Sequence, residues 1–302
     1  MKKISVILTT YNSGRFIVRT IESILGQQGA DNTFEIELIV VDDCSSDNTV
    51  EILKSLGTKH LSTRKNSGGP NFGRNIGLTA ATGDYICIAD HDDVWEKHKI
   101  ITLLPYLEKV PLVTSGYTLV NFATGKTTER FCKNNNNHLF FEHNQTFLSK
   151  LSKSLKGQNT YLGSIIYSKD LKHIRFEEEH GMVDFDWILR MFHRQESIEV
   201  CQPLYLRYVS DSNLSLNERY RNIDFNYSLM TVKQYQNDYP GEVKTAYKRI
   251  HGSMARYYYV MGKMEKARSF FLKSELSWKT LAYWVTTFFG AKWVVKKFNV
   301  FG

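Results

Sequence analysis

Between Tyr85 and Trp95 the chain passes directly from an apolar strand into acid: Tyr85-Ile86-Cys87-Ile88-Ala89-Asp90-His91-Asp92-Asp93-Val94-Trp95. A short apolar run behind a glycine, here Gly83, is the pattern of a buried strand. Three carboxylates within four residues then end it. A core strand that stops in acid places those acids at the C-terminal edge of a sheet, where open α/β sheets bind ligands. Carboxylates crowded together repel one another and favour neutrality unless a cation stands among them. One reading is a divalent-metal site built from Asp90 and Asp92, with Asp93 as a third candidate. Oxygen ligands suit Mg²⁺ or Mn²⁺, which commonly takes one or two carboxylates plus substrate phosphates. The other reading is a polar turn capping a helix that begins near Glu96. This stretch alone leaves both open.

The preceding residues repeat the pattern. A strand over 4–8 ends in Thr9-Thr10-Tyr11-Asn12-Ser13-Gly14, and Phe16, Ile17, Ile21, Ile24 and Leu25 follow at helical spacing. A second apolar strand over 36–41 ends in Asp42-Asp43-Cys44-Ser45-Ser46-Asp47. Asn48 with Glu51 resembles a capping box for a helix through Val50, Ile52, Leu53 and Leu56. A short strand near His60 and Leu61 precedes Asn66-Ser67-Gly68-Gly69-Pro70-Asn71-Phe72-Gly73-Arg74-Asn75-Ile76-Gly77. Glycines there, Gly69 among them, allow close backbone approach, and Arg74 adds a cation at the head of a helix running to Ala81. The loop is neither a dinucleotide fingerprint nor a P-loop. Alternating buried-type strands and helices predict an α/β fold with a parallel sheet. Three polar or acidic clusters then share one edge, which with the Gly-rich, Arg-bearing loop points to a nucleoside diphosphate.

Charge separates the chain into two parts. Residues 221–302 hold 14 Lys and Arg against 5 Asp and Glu, whereas the first 220 hold 25 against 26. A nearly neutral body argues against nucleic-acid binding, and the basic tail is matched to an anionic partner. Cys44, Cys87, Cys132 and Cys201 form no CxxC pair and no zinc spacing, so the expectation is inert thiols in a reducing compartment. The apolar run after Met1-Lys2-Lys3 is too short for a signal peptide, and nothing reaches the ~20 apolar residues of a spanning helix. These features lead to the expectation of a cytoplasmic protein.

The first 220 residues resemble a family 2 glycosyltransferase of the GT-A fold, of the bacterial polysaccharide or lipopolysaccharide type. The resemblance rests on Thr9-Thr10-Tyr11-Asn12, on Val41-Asp42-Asp43-Cys44-Ser45-Ser46-Asp47-Asn48-Thr49, on the loop 66–77, on Asp90-His91-Asp92-Asp93, and on Val183-Asp184-Phe185-Asp186-Trp187-Ile188-Leu189-Arg190. It implies a Rossmann-like, mostly parallel sheet flanked by helices over 1–220, and a Mn²⁺- or Mg²⁺-dependent, inverting transfer from a nucleotide sugar, in the first place a UDP-sugar. Carried across, Thr10, Tyr11 and Asn12 would line the nucleotide, with Tyr11 against the base. Asp43 would accept from a uracil-type imide, Gly69 and Arg74 would lie near base or diphosphate, Asp90 would hold the ribose and Asp92 the metal. Asp184 would be the general base. Val183 stands where the family usually has Glu.

Each assignment has a plainer counterpart. Asp43 could cap a helix, although Asp47 and Asn48 are better placed for that. Asp184 and Asp186 could be solvated acids at a helix start. Trp95 and Trp187 fit packing better than sugar stacking, His91 fits a surface group, and Arg190 fits a brace for its own helix. Two whole-protein alternatives stand beside the transferase: a non-catalytic sugar-binding or scaffold protein, and a receiver-like signalling module suggested by Asp42-Asp43.

Residues 112–119 and 163–167 read as strands, 121–158 as polar with a loop over 133–138, and 197–209 as a strand around Pro203. The loop 211–215 is expected to close over donor. From 222 the pattern turns helical, with helices over 225–239, 243–261 and 265–276. After Glu275 no acid occurs, and Lys279, Lys292, Lys296 and Lys297 alternate with Tyr283, Trp284, Phe288, Phe289, Trp293, Phe298 and Phe301. Such a segment suits peripheral contact of 277–302 with the inner face of an anionic membrane, or docking onto the protein's own helices. The implied acceptor is a glycan or a lipid-linked saccharide.

Overall fold

The computed structural model describes residues 1–122, 124–154, 156–179, 184–209 and 218–298. Val183, the loop 211–215 and Phe301 lie outside the described residues. The chain divides into two units, 1–147 with 157–213, and 148–156 with 214–302.

The first unit begins β1 (Lys2–Thr10), α1 (Ile17–Leu25), β2 (Phe34–Asp42), α2 (Thr49–Ser55), β3 (His60–Ser62), α3 (Pro70–Ala80), β4 (Tyr85–Asp90), β5 (Val94–Trp95) and α4 (Lys99–Leu103). It continues with β6 (Leu112–Asn121), β7 (Thr127–Arg130), β8 (His138–Phe141), α5 (Gln145–Leu151, whose end belongs to the second unit), β9 (Ile166–Ser168), α6 (Phe185–Phe192) and β10 (Ser197–Val209). The sheet runs β3-β2-β1-β4-β9-β6-β10-β5, with β7 paired to β6 and β8 to β10. Strands β3, β2, β1 and β4 are mutually parallel, as are β6 and β10, while β9 is antiparallel to β4 and β6.

β1 is buried from Ile4 to Thr10 because both faces are covered. On one face Ile4, Val6 and Leu8 share a core with Ile17, Ile21 and Ile24 of α1. On the other, α3 lies close enough that a Cβ at Gly77 would come within 2.3 Å of Ile7, and one at Gly73 within 3.0 Å of Thr9. Those glycines serve helix-on-strand packing rather than approach to a ligand.

Several expectations change. Asn48 makes no side-chain cap on α2. Asp47 does so, accepting from the Thr49 amide (3.0 Å) and hydroxyl (2.5 Å) and from the Gly14 amide (3.1 Å). α3 begins at Pro70, so Arg74 sits in its second turn rather than at its head. The stretch 121–158, read only as polar with a loop over 133–138, carries β7, β8 and α5, and 162–164 form a 3-10 turn before β9. Cys132 and Cys201 are joined by a disulfide with their Cα atoms 4.7 Å apart, which corrects the reading of four unpaired thiols. Only Cys44 and Cys87 are free, and burial pushes the Cys87 thiol up to about 12.

The second unit holds α7 (Glu218–Lys233), α8 (Pro240–Val260), α9 (Met264–Phe271), α10 (Trp278–Thr286) and α11 (Ala291–Phe298). Pro240 opens α8 at its first turn. Met254, Tyr257, Tyr258, Tyr259, Ala267, Phe271 and Val294 form its core, with Tyr283 and Trp284 against it. Leu276 (88% exposed), Trp278 (70%), Leu281, Phe288 and Phe289 are exposed. No described helix is long and apolar enough to cross a membrane.

Glu37 ties β2 to β1 and to the turn before β4, accepting from Ser5 Oγ (2.5 Å), the Thr82 amide (2.8 Å) and hydroxyl (2.6 Å), and Lys3 Nζ (2.9 Å). Burial alone would raise its pKa, but these donors outweigh it and lower the value from 4.5 to about 2. A depressed carboxylate pKa stabilises fully above the unfolded value and is lost as pH falls through the folded one. Wild type should therefore lose more stability than Glu37→Gln between pH 4.5 and 2, measured by urea midpoints. Parallel pH curves for the two proteins would contradict this.

Candidate functional site

The parallel register decides which side chains meet. Thr10 pairs with Asp42 on β2, and Thr9 pairs with Asp90 on β4, so three strands end level at one edge. The loops leaving that edge are bonded together. Asn12, at φ 48°, receives the Ser46 amide on its Oδ1 (2.8 Å) and donates its own amide to Ser45 Oγ (2.9 Å). The Ser13 amide donates to Thr49 Oγ1 (2.7 Å). Tyr11 stands out from this loop, 45% exposed, and Thr10 Oγ1 is buried without a hydrogen-bond partner.

The two acids after β2 have separate tasks. Asp42 folds back on Ser45, accepting its amide (3.0 Å) and hydroxyl (2.5 Å). Asp43 faces the Gly-rich loop and accepts from Thr63 Oγ1 (2.8 Å), the Ser67 amide (3.0 Å) and Ser67 Oγ (2.8 Å). Gly68 is the glycine this turn requires, at φ +84°. Gly69 is extended at φ 178°, a conformation open to any residue, and its carbonyl accepts from Ser67 Oγ (2.7 Å).

Arg74 and Asp90 come together. Arg74 Nη2 lies 3.0 Å from Asp90 Oδ1 while Nη1 donates to Asn71 Oδ1 (3.0 Å), and the guanidinium lies over Phe176. The Arg74 side chain is 6% exposed and that of Asp90 40%, so the cation is inside and the carboxylate at the rim. Arg74 thus orients Asp90 rather than standing free for a diphosphate.

The segment after β4 is held by its backbone from the polar edge of α1. Thr20 Oγ1 donates to the carbonyls of His91 (2.8 Å) and Asp93 (2.9 Å), and Arg19 Nη2 to that of Asp92 (3.1 Å). Ser23 Oγ accepts the Trp95 amide (3.1 Å), and Gln27 bonds the Glu96 carbonyl and the Ile100 amide. The side chains of Asp92 and Asp93 remain for other work. Burial raises the Asp92 carboxyl above its ordinary range, and Asp90 adds to this while His91 opposes it. Asp93 is raised further, by burial and then by Asp90 and Asp92, against the pull of Arg207 and Lys99. Lys99 is wholly buried against Trp95 and donates to the Gly163 carbonyl (2.5 Å); burial lowers it to about 8. Beside this group Tyr117 packs edge-on to Tyr161 and near Tyr205, with Arg207 over the exposed Tyr161 ring.

Asp184 is the residue before α6 and makes no side-chain cap to that helix. Asp186 is taken by Arg190, whose Nε and Nη2 lie 2.9 and 2.6 Å from Oδ2. Trp95 and Trp187 are core residues, Trp187 stacked on Phe176 at 4.5 Å. Among the described residues no three His, Cys, Asp or Glu side chains converge to cage a metal. The mutual repulsion of Asp90, Asp92 and Asp93 and their hard oxygen donors nonetheless fit a hard divalent cation such as Mg²⁺ or Mn²⁺. The sequence reading missed Arg19, Thr20, Ser23, Thr63 and Ser67. Thr20 and Ser23 on α1, with Gln27 just past its end, recur at helical spacing, a signal that would have found part of this set.

Poly(ribitol-phosphate) beta-N-acetylglucosaminyltransferase TarS of Staphylococcus aureus (strain Mu50) is 34% identical over 113 residues, 36% of this chain and 19% of TarS. Glycosyltransferase GlyG of Streptococcus pneumoniae serotype 4 is 36% identical over 111 residues, 35% of either chain. The match thus spans about a fifth to a third of these relatives' length. The crystal structure of S. aureus TarS residues 1–349 superposes on 94% of this chain and 80% of that one, with TM-score 0.63 and 20% identity. The same fragment in complex with UDP gives 0.60, and with UDP-GlcNAc 0.59. That likeness shows a shared α/β fold. The family model described as "Glycosyl transferase family 2" matches residues 5–196, and the chain belongs to that family.

Proposed function

We propose that this chain transfers a sugar from a nucleoside diphosphate to a hydroxyl of a glycan or lipid-linked acceptor, with inversion, in cell-surface polysaccharide synthesis. The carrying observation is the level ending of β1, β2 and β4, which gathers Thr10, Asp43 and Asp90 at one edge of a family 2 chain. A uridine donor is favoured because the structurally similar TarS was solved with UDP and with UDP-GlcNAc.

In this reading the exposed Tyr11 ring lies against the base, beside Thr10 and Asn12. Asp43 accepts from the base imide with acceptor capacity left over, since an ionised carboxylate offers about four lone-pair sites. Asp90, held by Arg74, takes the ribose. Asp92, with Asp90 and Asp93 nearby, binds Mn²⁺ or Mg²⁺, which when bound neutralises charge on the departing diphosphate. The acceptor hydroxyl attacks the anomeric carbon from the face opposite the diphosphate. A carbon–oxygen bond forms there as the bond to the diphosphate oxygen breaks and its electron pair leaves with the diphosphate. The hydroxyl proton passes to Asp184, and in-line attack inverts the centre. Asp186 is left out of this scheme because Arg190 occupies it.

The tail 277–302 is proposed to rest on the anionic inner face of the plasma membrane. Its support is the exposed Trp278, Phe288 and Phe289 in a stretch with no acid after Glu275.

Asp184→Asn should lower kcat by about 10²-fold or more while leaving nucleotide-sugar affinity unchanged. Retained turnover would remove Asp184 as the base, and wild-type binding without turnover on any acceptor would favour a non-catalytic sugar-binding protein. Replacing Trp278, Phe288 and Phe289 by Ser should abolish sedimentation with anionic vesicles. Undiminished sedimentation would show that the tail does not hold the membrane.

A further inference from the structure

The helical second unit contains a cavity of about 700 Å³ with its lining drawn wholly from 148–156 and 214–302. Seven Lys and Arg side chains line it against two acids, Asp224 and Glu275. The acids are already committed: Arg221 faces Asp224 at 3.7 Å, and Arg249 meets Glu275 at 3.1 Å. Lys153 donates to Ser228 (3.2 Å). Lys156, Lys248, Arg256 and Lys279 have no acidic partner among the described residues.

Cations gathered without counter-charge repel one another, and surface proteins normally disperse them or pair them. Here they are concentrated around a concavity. Arg221 donates Nη2 to Ser253 (3.0 Å), yet its Nε is buried without a partner. Arg256 lies over Gly252, where a Cβ would come within 3.7 Å of its Nη1. Burial, and beyond it the like charge of Arg221, hold the Arg256 guanidinium below its ordinary range. The first turn of α10 also faces the cavity through Ser277, Lys279 and Thr280, with Ser277 Oγ capping the Thr280 amide (3.1 Å). A helix start adds partial positive charge to the same wall.

We propose that this cavity binds a phosphate ester, through Lys248, Arg256 and Lys279. Guanidinium forks match phosphate oxygens in pairs, and ammonium groups add point charge. The volume is far larger than one phosphate and falls in the ~300–1,000 Å³ range of sites for organic ligands. Phe225, Met254, Phe271 and Tyr283 give it an apolar wall for the group that carries the phosphate. The chemistry is shared by two sources, a soluble polyol phosphate and the headgroup of an anionic phospholipid. The inference does not depend on the transferase reading, since no catalytic or nucleotide residue lines the cavity.

The test is calorimetric titration of the full chain with two probes, sn-glycerol 3-phosphate and monomeric dihexanoyl-phosphatidylglycerol below its micelle concentration. The short-chain lipid avoids a membrane surface and so separates this cavity from the exposed tail. Binding of either probe should weaken at least tenfold in Lys248→Gln/Arg256→Gln, and fall with added salt. Neither residue makes an ion pair among the described residues, so the melting temperature of the variant should not drop. Preference for the first probe identifies a soluble ester as the source, and preference for the second identifies a lipid headgroup. Absence of binding to both, or affinity unchanged in the variant, would overturn the proposal.

Discussion

The parallel pairing of β1 with β2 on one side and β4 on the other is the constraint on which the rest depends. A parallel ladder fixes not only which strands are neighbours but where each one stops. Because Thr10 is level with Asp42 and Thr9 with Asp90, loops separated by tens of residues leave the sheet at one edge. A shift by one residue would turn the apolar side chains of β1 from one covered face to the other. The close fit of α3 against Ile7 at Gly77 opposes such a shift, since misregistered side chains would meet helix backbone.

On that edge, polar side chains fall into those that shape loops and those left for a ligand. Asp42, Asp47 and Asp186 are used up by Ser45, Thr49 and Arg190. The acid segment 90–93 is gripped through its carbonyls by Arg19 and Thr20, so its backbone is positioned without spending its carboxylates. Asp92 and Asp93 are consequently crowded and partly desolvated, and each resists ionisation. That resistance is what makes a cation the occupant proposed for this edge: a site that stabilised its acids internally would have less to gain from one.

Much of this was legible because β1, β2 and β4 are covered on both faces, which makes their sequences continuous apolar runs with abrupt polar ends. The motif strings then carried the family resemblance. What the sequence did not disclose were relations set by tertiary distance. Nothing local distinguishes Asp42 from Asp43, because the difference lies in Thr63 and Ser67 twenty or more residues away. Arg74 read as a cation at a helix head, and nothing local names Asp90 as its partner. Cys132 and Cys201 are 69 residues apart and meet through the pairing around β10, which no spacing rule reveals. Asn48 matched a capping pattern by type, but Asp47 reaches both Thr49 and Gly14.

The central claim is that the carboxylates at this rim act on a diphosphate through a cation, and thermal denaturation with UDP tests it directly. A ligand at 100 times its dissociation constant stabilises by about 2.7 kcal/mol. UDP and Mn²⁺ together should raise the melting temperature by more than the sum of their separate effects, and Asp92→Asn should lose that excess. Strictly additive shifts in the wild-type protein, or an excess that survives Asp92→Asn, would contradict the account.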